Sequence, residues 1–560
     1  MTRMSGSRYF ARFMRGYGVT HVFLVPTMAM SALAEMEDMN IRRVVTHGEI
    51  AAAYMADGYA RARGAPGVCM AQDVGASNLM AGLRDAHMAC SPVIAFTGGP
   101  ATRLRYRHAY QNVEDFSQFD AVTKFNGTVD DVTRLPDMLR QAFREATSGS
   151  PGPVHLQVRE PYGESLEAEG DFELIVEEQF TRVPAFRPEP TELERVREAA
   201  AMLYQAKKPI IVAGGGVTAS GAQREVVELA EKLCIPVATS LNAKETLTDN
   251  HPLSVGISGT YSRACANRAL AEADLVFFIG SRAGGMTTAM WRVPSPGTKV
   301  IQLDIDAAEI GRNYPASVTL LGDAKVTLKR LIDAAQRKTP EAAAAWTSRV
   351  RQLVSEWRAA ADVQRNSDAV PMRPERVCQE ITEALPADGI VVADTGHAGM
   401  WSAQMIDFTH PGQRLIRCAG SLGWGFPGSL GVKCALPDRP VLCFTGDGGF
   451  YYCLAEMETA ARHGINVVVV INNNSALNQE LRLVDLAYGG KQRGRAGEIW
   501  RFGNVDFVKT AEALGCAGLR VTRPGQLKDA LHDAFRMNRP VIIDAVTDIE
   551  ALAPRAWLPQ

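Results

Sequence analysis

The chain is 560 residues long, too many for one hydrophobic core, and at about 100–200 residues per domain it should divide into three or four. Hydrophobic residues make up 46% and charged residues 22%, and 60 Lys and Arg against 62 Asp and Glu leave a formal net charge of −2. That balance gives no basic face for nucleic acid or an anionic membrane, and apolar runs such as Val467–Ile471 are strand-sized, far short of a span.

Short β-branched runs alternate with amphipathic stretches, which predicts an α/β fold of successive domains with parallel sheets flanked by helices. In the first third, Val22–Pro26, Arg43–Thr46, Gly67–Ala71, Pro92–Thr97 and Val154–Val158 read as strands, with helices over Ile50–Ala62 and Leu79–Cys90. A charged, proline-bearing stretch from Glu160 to Pro190 lacks periodicity and reads as a linker. Strands are expected next at Pro209–Gly216, Ile235–Thr239, Asp274–Gly280 and Lys299–Ile305, then a helical segment over Ala324–Asn366. The last unit offers Gly389–Asp394, Val441–Thr445, Asn466–Asn472 and Val541–Ala545. Domains are therefore expected at 1–165, 190–335 and 370–550, the first and third similar in layout. Ten cysteines stand singly without a C-x-x-C pair, as reduced core thiols do, and no signal-peptide core opens the chain, so a cytoplasmic location is expected.

The strongest chemical signal is Gly446-Asp447-Gly448-Gly449 at the end of a strand, followed 27 residues after Asp447 by Asn474, which closes Asn472-Asn473-Asn474 at the end of the next strand. In a parallel βαβ unit both strand ends lie at one sheet edge, so Asp447 and Asn474 converge there. A carboxylate, an amide oxygen and a nearby backbone carbonyl suit octahedral Mg²⁺. Glycine amides and the helix expected from near Tyr451 suit a diphosphate.

This pattern resembles the thiamine-diphosphate motif. Other segments resemble the acetolactate synthase, pyruvate oxidase and 2-hydroxyacyl-CoA lyase superfamily: Thr46–Arg61 with Glu49, Gly75-Ala76-Ser77-Asn78-Leu79, Ile301–Gly311, and Gly420-Ser421-Leu422-Gly423-Trp424-Gly425-Phe426-Pro427. The resemblance implies pyrimidine-binding, central and diphosphate-binding domains, and a homodimer or homotetramer with active sites shared between subunits. It makes Asp447, Asn474 and the Ala476 carbonyl the metal ligands. Asn78, His397, Ser421, Leu422, Gly446, Gly448, Gly449 and Leu477 join Glu49 around the cofactor.

By the same resemblance Glu49 hydrogen-bonds the pyrimidine ring and favours the tautomer that takes the thiazolium proton, and its apolar neighbours Ile50, Ala51 and Ala52 should desolvate it. Leu422 is the bulky apolar residue beneath the rings, unless it is an ordinary core leucine. In Asp394-Thr395-Gly396-His397-Ala398, His397 stands where glutamine is usual. Gln111 matches a glutamine that faces substrate.

Three departures leave the substrate open. Glu480, after Ser475-Ala476-Leu477-Asn478-Gln479, matches a second acid found in pyruvate decarboxylases; it either exchanges a proton with substrate in a dry site or is a solvated helix residue. Val25-Pro26-Thr27-Met28-Ala29-Met30 replaces Pro-Gly-Gly, and Met28 and Met30 either shape a pocket or pack in the core. Arg103, Arg105 and Arg107 either greet an anion such as a carboxylate or coenzyme A, or form an exposed basic loop. Gly214-Gly215-Gly216 and Gly280-Ser281-Arg282 can hold FAD, an adenine nucleotide or nothing. The leading expectation is a carbon–carbon lyase or carboligase acting on a 2-oxo acid or related carbonyl compound. The alternatives are a 2-hydroxyacyl-CoA lyase and, from another class, an inactive regulatory subunit of the same fold.

Overall fold

The computed structural model describes residues 1–26, 28–111, 117–159 and 164–560. Three six-stranded parallel sheets follow one another along the chain, each flanked by helices. The first runs across space as Arg42–Val45, His21–Leu24, Gly67–Ala71, Val93–Thr97, Val154–Val158 and Phe125–Val129. The third repeats that order with Arg414–Arg417, Ile390–Ala393, Val441–Gly446, Val468–Asn473, Val541–Val546 and Ala517–Val521. The middle sheet differs: Ser254–Ile257, Val237–Thr239, Pro209–Ala213, Leu275–Ile279, Lys299–Asp304 and Val318–Leu321, the order of dinucleotide-binding folds. Each sheet thus has one place where neighbouring strands feed crossovers in opposite directions, and there a crevice opens at the carboxyl ends of the strands.

Among the described residues, five strands of the three parallel sheets lack a counterpart in the sequence expectations: Phe125–Val129, Ser254–Ile257, Val318–Leu321, Arg414–Arg417 and Ala517–Val521. All five are sheet edges. The linker expectation also needs correction. Residues 160–163 lie outside the described ones, but Glu169–Phe172 pairs antiparallel with Thr2–Ser5, and Phe172 stacks on Tyr9 with ring centroids 4.6 Å apart. Much of this stretch is therefore stitched to the first domain. The expected helix over 324–366 is two helices, Ala324–Ala334 and Pro340–Arg365.

The first and third domains share one core, centred where helix Glu49–Arg63 crosses helix Gly425–Ala435. Backbones touch there: a Cβ on Gly58 would lie 2.1 Å from the Gly428 carbonyl oxygen, and one on Gly431 would lie 1.9 Å from that of Met55. Beside the crossing, the Trp424 indole N–H donates to the buried Asp57 carboxylate at 2.9 Å. Gly431→Ala should lower stability by about 3 kcal/mol, the upper end for overpacking, because a backbone carbonyl cannot yield as a side chain can. A thermal midpoint equal to wild type would show that the helices can separate freely.

The central domain joins the third through buried ions. Arg263 reaches Asp249 at 2.5 Å and Asp407 at 2.7 Å, and Arg365 and Arg358 each meet Asp407 at 2.9 Å. Burial opposes a charge on Asp407, but these guanidinium groups outweigh it and hold its carboxyl well below the usual carboxylate range. Among the described residues no helix is long and apolar enough to cross a membrane, and all ten cysteines are free.

Candidate active site

The crevice of the third sheet opens between Ile390–Ala393 and Val441–Gly446, and each strand is followed at once by an acid, Asp394 and Asp447. Asp447 is buried. Its carboxylate accepts the Gly448 N–H at 2.8 Å and the Ala476 N–H at 3.0 Å, which ties the turn to the loop after the asparagines. The helix begins at Asp447 itself and ends at Tyr451, rather than starting near Tyr451 as expected. Burial pushes the Asp447 carboxyl up to about 6 against these donors.

Asn474 follows strand Val468–Asn473, which pairs with Val441–Gly446, so the two residues do converge at one edge. The Asn474 amide oxygen is buried without a hydrogen-bond partner, and among the described residues the Ala476 carbonyl accepts no hydrogen bond either. A buried oxygen left unpaired costs about 1–3 kcal/mol, so these acceptors ask for a ligand. With the Asp447 carboxylate they form an all-oxygen donor set, which fits a hard cation such as Mg²⁺ better than zinc or copper.

Asp394, to which the sequence reading gave no role of its own, organises the rest of this edge. Its carboxylate accepts the N–H groups of Thr395, Gly423 and Gly425 at 2.7, 3.1 and 3.2 Å and the Thr445 hydroxyl at 3.2 Å. From the first domain, Asp85 accepts the N–H groups of Ala419, Gly420 and Ser421 at 2.7, 3.0 and 2.9 Å. Leu422 sits between these two clamps and is partly exposed, so it is not a core leucine. The turn packs tightly: a Cβ on Gly449 would meet the Asp394 carboxylate at 2.9 Å, and one on Gly448 would displace the end of the Leu477 side chain, 2.6 Å away. Helix Gly396–Met405 starts at the same edge. His397 in its first turn is pushed down to about 4 by burial, and its Nδ1 is buried without a hydrogen-bond partner.

Glu49 is the first residue of its helix, at the carboxyl edge of the first sheet. Among the described residues its one hydrogen-bond partner is Asn78, whose Nδ2 donates to it at 3.2 Å. A Cβ on Gly75 would lie 2.5 Å from the Glu49 carboxylate, so the glycine lets the two loops meet. The expected desolvation of Glu49 is not complete within one chain: the residue is half-buried. No hydrogen bond among the described residues joins it to Asp447 or Asn474.

At the same edge stands Asp73, which the sequence reading missed. Its carboxylate lies against Gly98, where a Cβ would be 2.6 Å away, near Met28, and burial pushes it up to about 6. Met28 is buried and Met30 exposed, while Thr27 lies outside the described residues. Gln111 has positive φ (59°) at the end of an exposed loop carrying Arg103 and Arg107; Asn112 lies outside the described residues. Glu480 closes the turn Asn478–Glu480 before helix Leu481–Ala487 and is half-buried, less dry than expected.

A second cleft, of about 780 Å³, opens at the crevice of the central sheet, lined by Gly215, Gly216, Ser281, Arg282 and Asp304 and floored by Arg414 of the third domain. Gln302 holds its loops: its amide donates to the Ser281 carbonyl at 3.1 Å and its oxygen accepts the Gly311 N–H at 2.8 Å. Glu245 and Asn242 line the cleft, each with one buried oxygen lacking a hydrogen-bond partner.

Comparison with known proteins gives this geometry its class. The thiamine pyrophosphate enzyme family matches three times: its N-terminal TPP binding domain over residues 4–119, its central domain over 196–331 and its C-terminal TPP binding domain over 394–545. The "probable acetolactate synthase large subunit" of Methanocaldococcus jannaschii is 33% identical over 97% of this chain and 92% of its own length. The acetolactate synthase large subunit of Corynebacterium glutamicum is 31% identical over 98% and 88%, and the isozyme 3 large subunit of Escherichia coli is 29% identical over 98% and 96%. The chain belongs to the thiamine pyrophosphate enzymes, in the superfamily that contains the acetolactate synthases, and is a thiamine-diphosphate-dependent enzyme.

Proposed function

We propose that the protein is an acetolactate synthase-like lyase or carboligase acting on a 2-oxo acid or related small carbonyl compound, with Mg²⁺ bound by Asp447, Asn474 and the Ala476 carbonyl. The observation that carries the metal is the buried, unpaired Asn474 oxygen one strand from the buried Asp447 carboxylate. Bound there, thiamine diphosphate supplies a nucleophilic carbon and an electron sink for making or breaking a carbon–carbon bond beside a carbonyl. The glycine turn 446–449, His397, Ser421 and Leu477 cradle the diphosphate end. The N-terminus of helix Gly396–Met405 adds favourable charge, since the Asp447 helix is only five residues long. Leu422 would support the rings from below. Glu49, steered by Asn78, faces the pyrimidine, and Gln111 and Asp73 face substrate.

The open, half-buried state of Glu49 supports a homodimer, or a homotetramer built from it, in which Glu49 of one copy completes the Asp447 site of the other. The central cleft is suited to FAD or an adenine nucleotide: its volume lies in the usual range for small-molecule sites, and Glu245 and Asn242 offer unpaired acceptors to ribose or ring donors. The 2-hydroxyacyl-CoA lyase reading is favoured by Glu480 and by the exposed Arg103 and Arg107, which suit a phosphorylated arm. An inactive subunit is disfavoured because Glu49, Asp447 and Asn474 are all present.

The deciding experiment supplies purified protein with thiamine diphosphate and Mg²⁺ and screens 2-oxo acids and 2-hydroxyacyl-CoA thioesters, with an absorbance scan for flavin. Turnover of a 2-oxo acid supports the proposal. Cleavage of the thioesters alone overturns it in favour of the second reading. Glu480→Gln should leave thiazolium proton exchange intact while turnover falls roughly 10²–10⁴-fold, as for loss of a general acid–base. Wild-type turnover would make Glu480 a solvated helix residue.

A further inference from the structure

Helix Glu456–His463 of the third domain lies along the strand that delivers Glu49. Its Arg462 donates to the Val45 carbonyl at 2.8 Å, and Arg42 returns a bond to the His463 carbonyl at 3.1 Å. Between Val45 and Glu49 the loop is held at His47 by two acids of that helix. The His47 backbone N–H donates to Glu456 at 3.0 Å, and the His47 ring meets Glu458 at 2.7 Å. These two contacts are unequal. The His47–Glu458 pair is 45% and 38% exposed on its two side chains and contributes little in water. Glu456 is 2% exposed, and its second oxygen accepts the Thr459 hydroxyl at 2.7 Å, so its rotamer is fixed and the acceptor end of its bond to His47 is shielded from water.

We propose that Glu456 is a positioning residue for Glu49: it sets the height of the 46–48 loop and thereby the place from which the Glu49 carboxylate reaches the pyrimidine. Two features make the transmission stiff. The Thr46 hydroxyl donates to the Gly48 carbonyl at 2.9 Å, and the Gly48 carbonyl in turn accepts the Ala51 and Ala52 N–H groups at 3.1 and 3.2 Å. A shift at His47 therefore moves the start of the Glu49 helix rather than being absorbed in the turn. The same helix follows directly on the Asp447 segment, so within one chain a single acid ties the Glu49 loop to the frame of the Asp447 turn. The inference rests on Glu49 being the pyrimidine-facing acid.

The test compares thiazolium proton–deuterium exchange, read by NMR after acid quench, in wild type, Glu49→Gln, Glu456→Ala, Glu456→Asp and Glu456→Gln, with thiamine diphosphate affinity measured alongside. Glu456→Ala and Glu456→Asp lose the reach to the His47 N–H and should slow exchange by up to about 10²-fold, the cost of roughly 1 Å of misplacement, at near wild-type cofactor affinity. Glu456→Gln keeps the acceptor oxygen and should restore the rate. Wild-type exchange in Glu456→Asp, while Glu49→Gln is slow, would overturn the positioning role and leave Glu49 in place. Equal slowing in Glu456→Gln would also overturn it, since charge and not the hydrogen bond would then matter. Wild-type exchange in Glu49→Gln itself would instead sink the underlying assignment.

Discussion

Asp447→Ala should abolish Mg²⁺-dependent retention of thiamine diphosphate and with it all turnover. Removing a residue that merely supports a metal ligand typically costs about 10–100-fold in affinity, so removing the one carboxylate in the set should cost more. The remaining donors are neutral oxygens, which hold a divalent cation poorly without charge. The loop should suffer too, because the same carboxylate binds the N–H groups of Gly448 and Ala476. The fold should persist, since the sheet beneath is carried by Val441–Phe444 and Val467–Ile471, which are buried throughout. The measurement is cofactor binding by calorimetry with and without Mg²⁺, beside a thermal melt. Wild-type affinity in a folded variant would remove Asp447 from the metal site.

Glu49→Gln should bind cofactor normally but exchange the thiazolium proton roughly 10²–10⁴-fold more slowly, the usual cost of losing a general acid–base partner. The amide fills the same space and can still bond Asn78, so geometry is kept while the titratable proton is lost. Exchange in bound cofactor reports this step before any substrate is present. An unchanged rate would return Glu49 to the role of a helix-start residue.

What could be read in the sequence was what is local in it. Gly446–Gly449 and Asn472–Asn474 carry their meaning in strand–turn context, and interior strands such as Gly67–Ala71 and Ile390–Ala393 are unbroken apolar runs because both their faces are covered. The five edge strands were illegible for the converse reason. Gly127, Gly256 and Gly518 interrupt three of them, Arg414 and Arg417 bracket another, and a single covered side leaves only a partial pattern. Asp394, Asp85 and Glu456 were passed over because each completes its bonding with groups far along the chain, at Gly423 and Gly425, at Ala419–Ser421, and at His47. Nothing near them in sequence distinguishes them from other acids. Asp73 was missed because the glycine that makes room for it, Gly98, comes one strand later.

The backbone contact between the Glu49–Arg63 and Gly425–Ala435 helices also bears on how the chain is made. The alanine-rich helix Glu49–Arg63 is covered on one side by the Gly425–Ala435 helix, which emerges from the ribosome about 370 positions later. At about 5–20 residues per second that is a wait of roughly 20–70 s, during which the central domain can fold on its own core while the first domain stands with an uncovered seam. The first domain is thus completed only together with the third although it is synthesised first, and slow or truncated synthesis should expose a glycine- and alanine-lined surface suited to capture by chaperones or by a neighbouring nascent chain.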